Sequence, residues 1–470
     1  TAAWAYGLAG VASVLSTVIL SGVTGLAGGV PPSLDRPMSV ALLAVGALLS
    51  LLPASVLMGI GLPSMLSDAS AAAGANGAAA VGRLYSLNVA GSLVGPLLAG
   101  FLVLPAIGLR ASLVAGAAVT AIAGWLLAWA LPRRTWVRLV AVTGLLFISA
   151  AVLAPDPFMV GLRLWYPDEL VVWRREGPSA TISISERPGA AGPVRTLRYD
   201  GVHDADTDAF MLHLHRQIGM LGLAANPSAR QVLMIGLGAG TTSGALAGRA
   251  GLSMDIIELH PAVAEAARLF SATNDRLLDR ENVHVRFDDA RNALRGLTKT
   301  YDLVVADTIR PHQAGAGYLY SDQYFQAVRR VLAPTGIMVQ WIGVRGRTEY
   351  ATIVRTFQSA FPHTTLWLDG EVLIGSPSPL TLDAGTFNAL LGDDTMRPRL
   401  EAAGFASFND VLNQLNADED QVRQLAGPGP MISDDLPRIE YFLSFGRHDP
   451  PVDLSGLRPD LARLAVTTRR

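Results

Sequence analysis

Cysteine is absent from the chain, lysine occurs once, and charge of either sign is scarce in the first third of the sequence. The lack of cysteine excludes disulfide bonds, thiolate metal ligands and cysteine nucleophiles. Lys299 is the single lysine, and a formal net charge of −2 provides no strongly basic surface for nucleic acid or for anionic lipid headgroups. We therefore expect no nucleic acid partner.

Apolar runs fill the part of the chain where charge is scarce. Only eight of the acidic and basic residues lie before residue 155, and all the others follow Ala154. Five apolar stretches lie in this region, at residues 4–30, 38–66, 84–109, 111–131 and 136–154; the first four are free of charge and the fifth contains Arg138. A helix needs about 20 apolar residues to cross a lipid bilayer. We expect residues 1–155 to form a transmembrane helical domain of about five spans, rather than the buried helices of a large soluble protein.

The connections between these stretches are less informative. The Ala-, Gly- and Ser-rich segment 67–82 predicts a flexible loop between the second and third spans. Arginines lie on both sides of the fifth span, so the positive-inside rule does not decide its orientation.

The rest of the chain has the pattern of an α/β protein. Residues 156–203 predict a small β-meander, with strand-type runs at 170–175, 181–186 and 194–199 separated by Gly-Pro turns. Residues 204–450 alternate helices with apolar strands at 232–235, 254–257, 284–287, 303–306 and 337–340. This alternation predicts a doubly wound parallel sheet of the Rossmann-like type, followed by a C-terminal tail at 451–470.

Glycines and acids fall at the ends of three successive predicted strands. Gly236, Gly238 and Gly240 follow the first strand and permit a close backbone approach to a nucleoside. Glu258 ends the second strand, where it can accept both ribose hydroxyls, and Asp289 ends the third, near the position of an adenine amine. The spacing Gly-x-Gly-x-Gly, without a phosphate-binding lysine or a Gly-x-x-Gly extension, favours an adenosyl cofactor over ATP or a dinucleotide. The alternative is that both acids simply cap the following helices.

The motifs in this half resemble those of the spermidine synthase superfamily, and specifically its membrane-fused branch of fused transporter-like/spermidine synthases. They are Gly236-Leu237-Gly238, Ile257-Glu258-Leu259-His260-Pro261, Asp289-Ala290-Arg291-Asn292, Tyr301-Asp302-Leu303-Val304-Val305-Ala306-Asp307, Leu319-Tyr320-Ser321, Val339-Gln340-Trp341 and Ser433-Asp434-Asp435-Leu436-Pro437.

The resemblance implies a class I methyltransferase-type domain with an aminopropyltransferase activity of polyamine biosynthesis. It implies decarboxylated S-adenosylmethionine, or S-adenosylmethionine, as co-substrate, with Ala290 among the residues that bind it. The acceptor would be a small-molecule amine or another nucleophile, and methylthioadenosine the product. Asp307 matches the family's catalytic carboxylate, a general base, although an acid there could also cap a turn. A homodimer, and an enzyme domain on the cytosolic face of a bacterial plasma membrane, follow as expectations.

Departures from the family concern the acceptor side. Arg310 stands where polyamine synthases carry a second acid, and a cation there would repel a polyamine and attract a carboxylate or phosphate. Asp200 and Tyr320 match acceptor-side positions, so these two residues and Arg310 are the candidate substrate-binding residues. The acids Asp204, Asp206 and Asp208 follow in a segment that could bind an amine but that we expect to be a solvated loop.

Two histidines follow this segment on a predicted helix. His213 and His215 lie two residues apart, which places them on different helix faces. We therefore expect no metal site there.

Two other functions compete with alkyl transfer to an amine. The same fold and acids would suit an S-adenosylmethionine-dependent methyltransferase, which product identity would distinguish. A non-catalytic adenosyl-cofactor-binding membrane protein would bind without forming product.

Overall fold

The computed structural model describes residues 1–29, 36–308, 310–313, 315–441, 449–461 and 464–466. The last residue of the first apolar stretch, Val30, and the final four residues of the tail lie outside this part. The chain divides into two compact units, Thr1–Glu169 with Arg174–Thr181, and Leu170–Trp173 with Ile182–Arg470.

The first unit is helical. Its helices are α1 (Ala2–Gly29), α2 (Arg36–Ala73), α3 (Gly77–Leu98), α4 (Leu104–Ala128), α5 (Arg133–Leu153) and α6 (Pro157–Trp165). A π-helical turn, Ala99–Val103, joins α3 to α4. The backbone leaves the helical conformation at Gly108 (φ 80°, ψ 169°), close to the predicted boundary between the third and fourth apolar stretches.

The predicted loop at 67–82 is wrong. Helix α2 continues to Ala73, a single 3-10 turn covers Gly74–Asn76, and α3 begins at Gly77. Gly74 has a positive φ of 54°, which turns the chain without a loop. The segment is rich in alanine, the strongest helix former, and that propensity outweighs its glycine and serine content.

Three helical stretches of the described chain are long and apolar enough to cross a membrane, judged by length and composition alone. They are Ala2–Gly22, Ala44–Ala128 and Arg133–Trp165. The second has 85 residues. At about 1.5 Å per residue, a straight helix of this length would be several times longer than a bilayer is thick. The breaks at Gly74 and Gly108 divide the stretch into shorter helices.

Close backbone contact holds α1 against its neighbours in this unit. Helix α1 contacts α2, α4, α5 and α6. A Cβ added at Gly10 would lie 2.7 Å from the carbonyl oxygen of Ala117, and one added at Gly124 would lie 2.5 Å from the backbone nitrogen of Gly7. Small residues therefore allow α1 and α4 to pack with their backbones nearly touching.

A small sheet in the order β1-β2-β3-β4 follows the helices, and its β2–β3 and β3–β4 pairs are antiparallel. Its strands are β1 (Leu170–Glu176), β2 (Thr181–Arg187), β3 (Val194–Tyr199) and β4 (Val202–Asp206). The three predicted strands are confirmed. The sheet continues to Asp206, beyond the predicted boundary at 203, because Asp200 (φ 50°) and Gly201 (φ 82°) form a two-residue turn that pairs β4 with β3.

The main sheet has eight strands, and every strand predicted for it is confirmed. The elements up to its fifth strand in the chain are α7 (Ala209–Ala225), β5 (Gln231–Ile235), α8 (Thr241–Ala247), β6 (Ser253–Glu258), α9 (Pro261–Arg268), β7 (Val283–Phe287), α10 (Ala290–Gly296), β8 (Tyr301–Ala306), α11 (Asp322–Val331) and β9 (Leu332–Trp341). The later elements are α12 (Arg347–Ala360), β10 (His363–Trp367), β11 (Val372–Ser376), β12 (Leu382–Asp383), α13 (Ala384–Leu391), α14 (Arg397–Ala402), α15 (Phe408–Leu412), β13 (Leu415–Ala417), α16 (Glu419–Ala426) and β14 (Ala465–Val466).

The strand order of the main sheet defines where a ligand can bind. The order is β13-β10-β11-β9-β8-β5-β6-β7, and the run from β9 to β7 is parallel. Chain progression reverses at β5, which lies between β6 and β8. In such sheets the crevice at the carboxyl ends of the two strands beside the reversal is the usual ligand site.

Two of the glycines of α4, Gly116 and Gly124, provide a matched test of the packing in the helical unit. Gly124→Ala should lower the unfolding temperature, because overpacking against backbone costs about 1–3 kcal/mol. Gly116→Ala should not lower it, because an added Cβ there meets no atom within 4 Å and alanine gains up to about 1 kcal/mol over glycine in a helix. Thermal unfolding of the full chain in detergent measures both, and equal shifts would contradict the close approach of α1 to α4.

Candidate active site

Three glycines shape the turn between β5 and α8. Gly236, Gly238 and Gly240 have φ values of 88°, 52° and 80°, which residues with a Cβ rarely adopt. The Gly240 amide donates to the Leu237 carbonyl at 2.9 Å, and Asn274 Nδ2 donates to the Ala239 carbonyl at 2.9 Å. The turn is therefore fixed by hydrogen bonds as well as by conformation.

Glu258, at the end of β6, holds the same turn from the neighbouring strand. Its Oε2 accepts from the Leu237 amide at 2.9 Å and its Oε1 from the His260 amide at 2.8 Å. The residue is 4% exposed. Burial raises the pKa of its carboxyl to about 7, although the two amide hydrogen bonds oppose this rise. The acid predicted to meet a ribose also ties the glycine turn to β6.

Asp307 follows β8 and is held by two side chains from other elements. His215 Nδ1, on α7, lies 2.8 Å from Asp307 Oδ2, and the Thr242 hydroxyl, on α8, donates to the same oxygen. Burial would raise the pKa of Asp307, but the nearby His215 outweighs it and the pKa is lowered. Burial lowers the pKa of His215, but the charge and hydrogen bond of Asp307 outweigh that effect and the pKa is raised.

These residues surround an open cavity at the reversal of the sheet. The lining residues come from β4, α7, the glycine turn, the start of α8, the end of β8 and the end of β9. They are His203, Asp204, Ala205, Met211, Leu214, His215, Ile218, Met234, Gly236, Leu237, Gly238, Ala239, Gly240, Thr241, Thr242, Ser243, Asp307, Thr308, Arg310 and Trp341.

The cavity wall carries charges of both signs. Asp204 lies beside the glycine turn, since a Cβ added at Gly238 would be 3.3 Å from its Oδ2. Burial raises the pKa of Asp204 to about 6; His215 and Arg310 oppose this rise, and Asp307 adds to it. A ligand here meets carboxylates and cationic side chains together.

The structure corrects the expectation that residues 202–208 form a solvated loop. Val202–Asp206 is strand β4, and Asp206 is 9% exposed. Asp206 Oδ2 lies 2.9 Å from His203 Nε2, and its Oδ1 accepts from the Asp208 amide at 2.8 Å. His203, Asp204 and Ala205 of this strand line the cavity, and Asp206 does not.

The structure brings some of the predicted site residues together and places others elsewhere. Gly236, Gly238, Gly240, Asp307 and Arg310 line the cavity. The remaining predicted residues, Glu258, Asp289, Ala290, Asp200 and Tyr320, are not among its lining residues.

Each of the residues away from the wall has an observed role. Asp289 Oδ1 accepts from the Arg291 amide at 3.0 Å and so caps α10, of which the buried Ala290 is the first residue. Asp200 lies in the β3–β4 turn. Tyr320 is fully buried, and its hydroxyl donates to the Trp341 carbonyl at 3.2 Å. Their ligand-binding roles stay predictions.

Three residues of the cavity wall, His203, His215 and Thr242, are not among the site residues predicted from the sequence. No local sequence pattern identifies them, because their contacts form only in the folded chain. His215 and Thr242 meet Asp307 across separations of 92 and 65 residues, and neither belongs to a motif with fixed spacing. The expectation that His213 and His215 face different ways is confirmed, because His213 Nδ1 lies instead 3.2 Å from the Ala402 carbonyl.

Comparison with known proteins agrees with this architecture. Residues 211–350 match the family model of the spermine/spermidine synthase domain. A polyamine aminopropyltransferase of Aeropyrum pernix is 31% identical over 243 residues, which cover 47% of this chain and 76% of that protein. A polyamine aminopropyltransferase of Mycobacterium tuberculosis is 31% identical over 303 residues, which cover 60% of this chain and 56% of that protein. The chain belongs to the spermidine synthase superfamily.

The chain spans about half the length of several of the curated relatives that it matches. Among solved structures, a spermidine synthase in complex with the transition state analogue AdoDATO is 17% identical, with a TM-score of 0.40, over 50% of this chain and 88% of that one. The spermidine synthase of Thermotoga maritima is 16% identical, with a TM-score of 0.39, over 50% of this chain and 87% of that one.

The raised pKa of Glu258 makes the stability of this unit depend on pH. Its folded pKa of about 7 exceeds the ordinary value of 4.5, so the unfolded chain loses the proton first. Stability should fall as pH rises from about 4.5 to 7, by up to about 3 kcal/mol from this group. Glu258→Gln should flatten that part of the profile. The control Glu281→Gln, at an exposed residue, should not. The unfolding temperature, measured between pH 4.5 and 8, tests both variants. Parallel profiles for wild type and Glu258→Gln would contradict the raised pKa of Glu258.

Proposed function

We propose that the α/β unit is an aminopropyltransferase that uses decarboxylated S-adenosylmethionine, and that Asp307 is the carboxylate at its reacting centre. One observation carries the proposal. A buried, ionised carboxylate lies at the carboxyl end of β8, across the reversal of the sheet from the glycine turn, within the region that matches the family. That crevice is where a nucleoside binds in this class of sheet.

The reaction requires little from the protein beyond placement and proton transfer. The sulfonium supplies an electrophilic methylene carbon and a neutral sulfur leaving group. The acceptor nitrogen forms a bond to that carbon, the C–S bond breaks with its electron pair going to sulfur, and the nitrogen gives up a proton. An amine attacks only through its lone pair, so a group that takes or orients the proton is needed. The position of Asp307 in the cavity wall supports that role.

The wall residues fit an adenosyl ligand. Positive φ values at the glycine turn leave its backbone open to close approach, and a side chain at Gly238 would abut Asp204. Glu258, on the adjacent strand, supports the turn from behind. We infer that the turn receives the nucleoside and that Asp204 and Asp307 face the positively charged part of the donor or acceptor.

Arg310 restricts which molecules can bind as the acceptor. A guanidinium beside two carboxylates opposes binding of a molecule that carries only positive charge, and favours one that also carries an anionic group. We propose an acceptor with an amine and a carboxylate or phosphate. An S-adenosylmethionine donor with its carboxylate intact would meet the same charges.

Asp307→Asn should abolish this reaction with little effect on folding. The amide keeps the shape of the side chain but cannot remain anionic or take a proton, so turnover should fall at least about 100-fold. Mass spectrometry of the detergent-purified chain, given either donor with 1,4-diaminobutane, spermidine or 4-aminobutanoate, measures methylthioadenosine and alkylated amine. Asp394→Asn, at an exposed carboxylate, is the control.

The products separate the candidate functions. Methylthioadenosine that depends on Asp307 supports alkyl transfer, and its dependence on each amine identifies the acceptor class. S-adenosylhomocysteine would show a methyltransferase instead. Saturable binding of the donor without either product would show a non-catalytic binder.

We also propose that the helical unit anchors the enzyme in a bacterial plasma membrane. Large apolar side chains are exposed throughout α3 and much of α4, among them Leu87, Leu93 and Leu126, each more than 60% exposed. Water would disfavour so much contiguous apolar surface, whereas hydrocarbon would not. The α/β unit then lies on the cytosolic side, where its donor is made.

The absence of cysteine allows a clean test of anchoring and orientation. Asp394→Cys places one thiol on the exposed surface of the α/β unit, and the parent chain has none to give background. The protein should sediment with membranes after alkaline carbonate washing, and a membrane-impermeant maleimide should label it only after lysis. Recovery in the soluble fraction would exclude anchoring, and labelling of intact cells would place the unit outside.

A further inference from the structure

The two nitrogens of the His215 ring have different surroundings. Nδ1 lies 2.8 Å from Asp307 Oδ2 and 3.4 Å from the Thr242 hydroxyl oxygen. Nε2 is buried and has no hydrogen-bond partner among the described residues. The ring lines the cavity, with only 13% of the side chain exposed. A buried polar nitrogen without a partner is unusual and points to a ligand that supplies one.

The partner of Nδ1 fixes the tautomer. An ionised carboxylate only accepts hydrogen bonds, so Nδ1 must carry a proton whenever it bonds to Asp307. Neutral His215 therefore has its lone pair on Nε2. This is the arrangement in which a carboxylate orients an imidazole as a base, and it leaves the free nitrogen on a ring that borders the cavity.

Charged groups surround this ring on several sides. Asp307 contacts it from the end of β8, and Asp204 and Asp206 act on it from β4. His203 and Arg310 also line the cavity. The acids raise the pKa of His215 above its ordinary value of 6.5, so the neutral, proton-accepting form grows as pH rises past neutrality.

We propose that His215 is the catalytic base of the alkyl transfer, and that Asp307 acts by orienting it and by holding the acceptor's positive charge. The proposal rests on the proposed function and specifies which of two adjacent groups takes the proton. The acceptor nitrogen bonds to the methylene carbon as the C–S bond breaks toward sulfur. The proton from that nitrogen moves to Nε2 and then leaves to solvent.

His215→Asn tests this role with the fold preserved. The Asn amide can still donate to Asp307 Oδ2, but it cannot accept a proton. We expect turnover to fall at least about 100-fold, with methylthioadenosine binding unchanged by calorimetry. His213→Asn, on the same helix but facing the Ala402 carbonyl, is the matched control and should keep wild-type turnover.

The pH profile and chemical rescue separate a base from a structural residue. Wild-type kcat should rise with pH through an inflection above 6.5, and His215→Asn should lack that inflection. His215→Ala should regain turnover on addition of imidazole, in proportion to the neutral imidazole present at each pH. A merely structural histidine would give neither result.

The outcomes distinguish this inference from the proposed function. If wild type forms methylthioadenosine and His215→Asn retains turnover within about threefold with the same inflection, Asp307 is the base and the inference alone is wrong. If wild type binds methylthioadenosine but forms no product with either donor and any of the three amines, the proposed function fails, and the inference with it.

Discussion

The arrangement of the site depends on one buried carboxylate that three separate elements share. Asp307 closes β8, His215 reaches it from α7, and Thr242 reaches it from the first turn of α8. Burial alone would favour a neutral acid, but the imidazole reverses that preference and keeps the carboxylate ionised. Because an unpaired charge in this position would be costly, the cluster fixes the relative positions of the glycine turn, α7 and the end of β8. Residues of all three elements line the cavity.

A second constraint acts on the other side of β5 from Asp307. Glu258 accepts from the backbone of the glycine turn and from the start of α9, so a single side chain joins β5 to β6 at their carboxyl ends. Its burial raises the pKa to about 7, which makes the connection sensitive to pH near neutrality. The acid that nucleotide-binding sheets of this kind direct at a ribose thus also maintains the turn that would receive the nucleoside.

The sequence predicted the parts of this fold whose causes are local. Strands of the main sheet, the glycine turn and the acids at strand ends follow from apolar runs and from backbone conformations that only glycine adopts readily. The loop predicted at 67–82 is wrong because the helix propensity of its alanines, also a local property, outweighs its glycine and serine content. Strand β4 and the position of His215 could not be predicted, because pairing with β3 and contact with Asp307 arise only when distant segments meet.

The charges of the cavity also explain why family resemblance alone does not identify the acceptor. Asp204 and Asp307 supply negative charge, while His203, His215 and Arg310 supply, or can acquire, positive charge. A site for a polycation would gain by being uniformly acidic, since each cationic side chain in the wall opposes the ligand. An acceptor that carries both signs of charge can pair with each set, which is why we propose an acceptor with an amine and an anionic group.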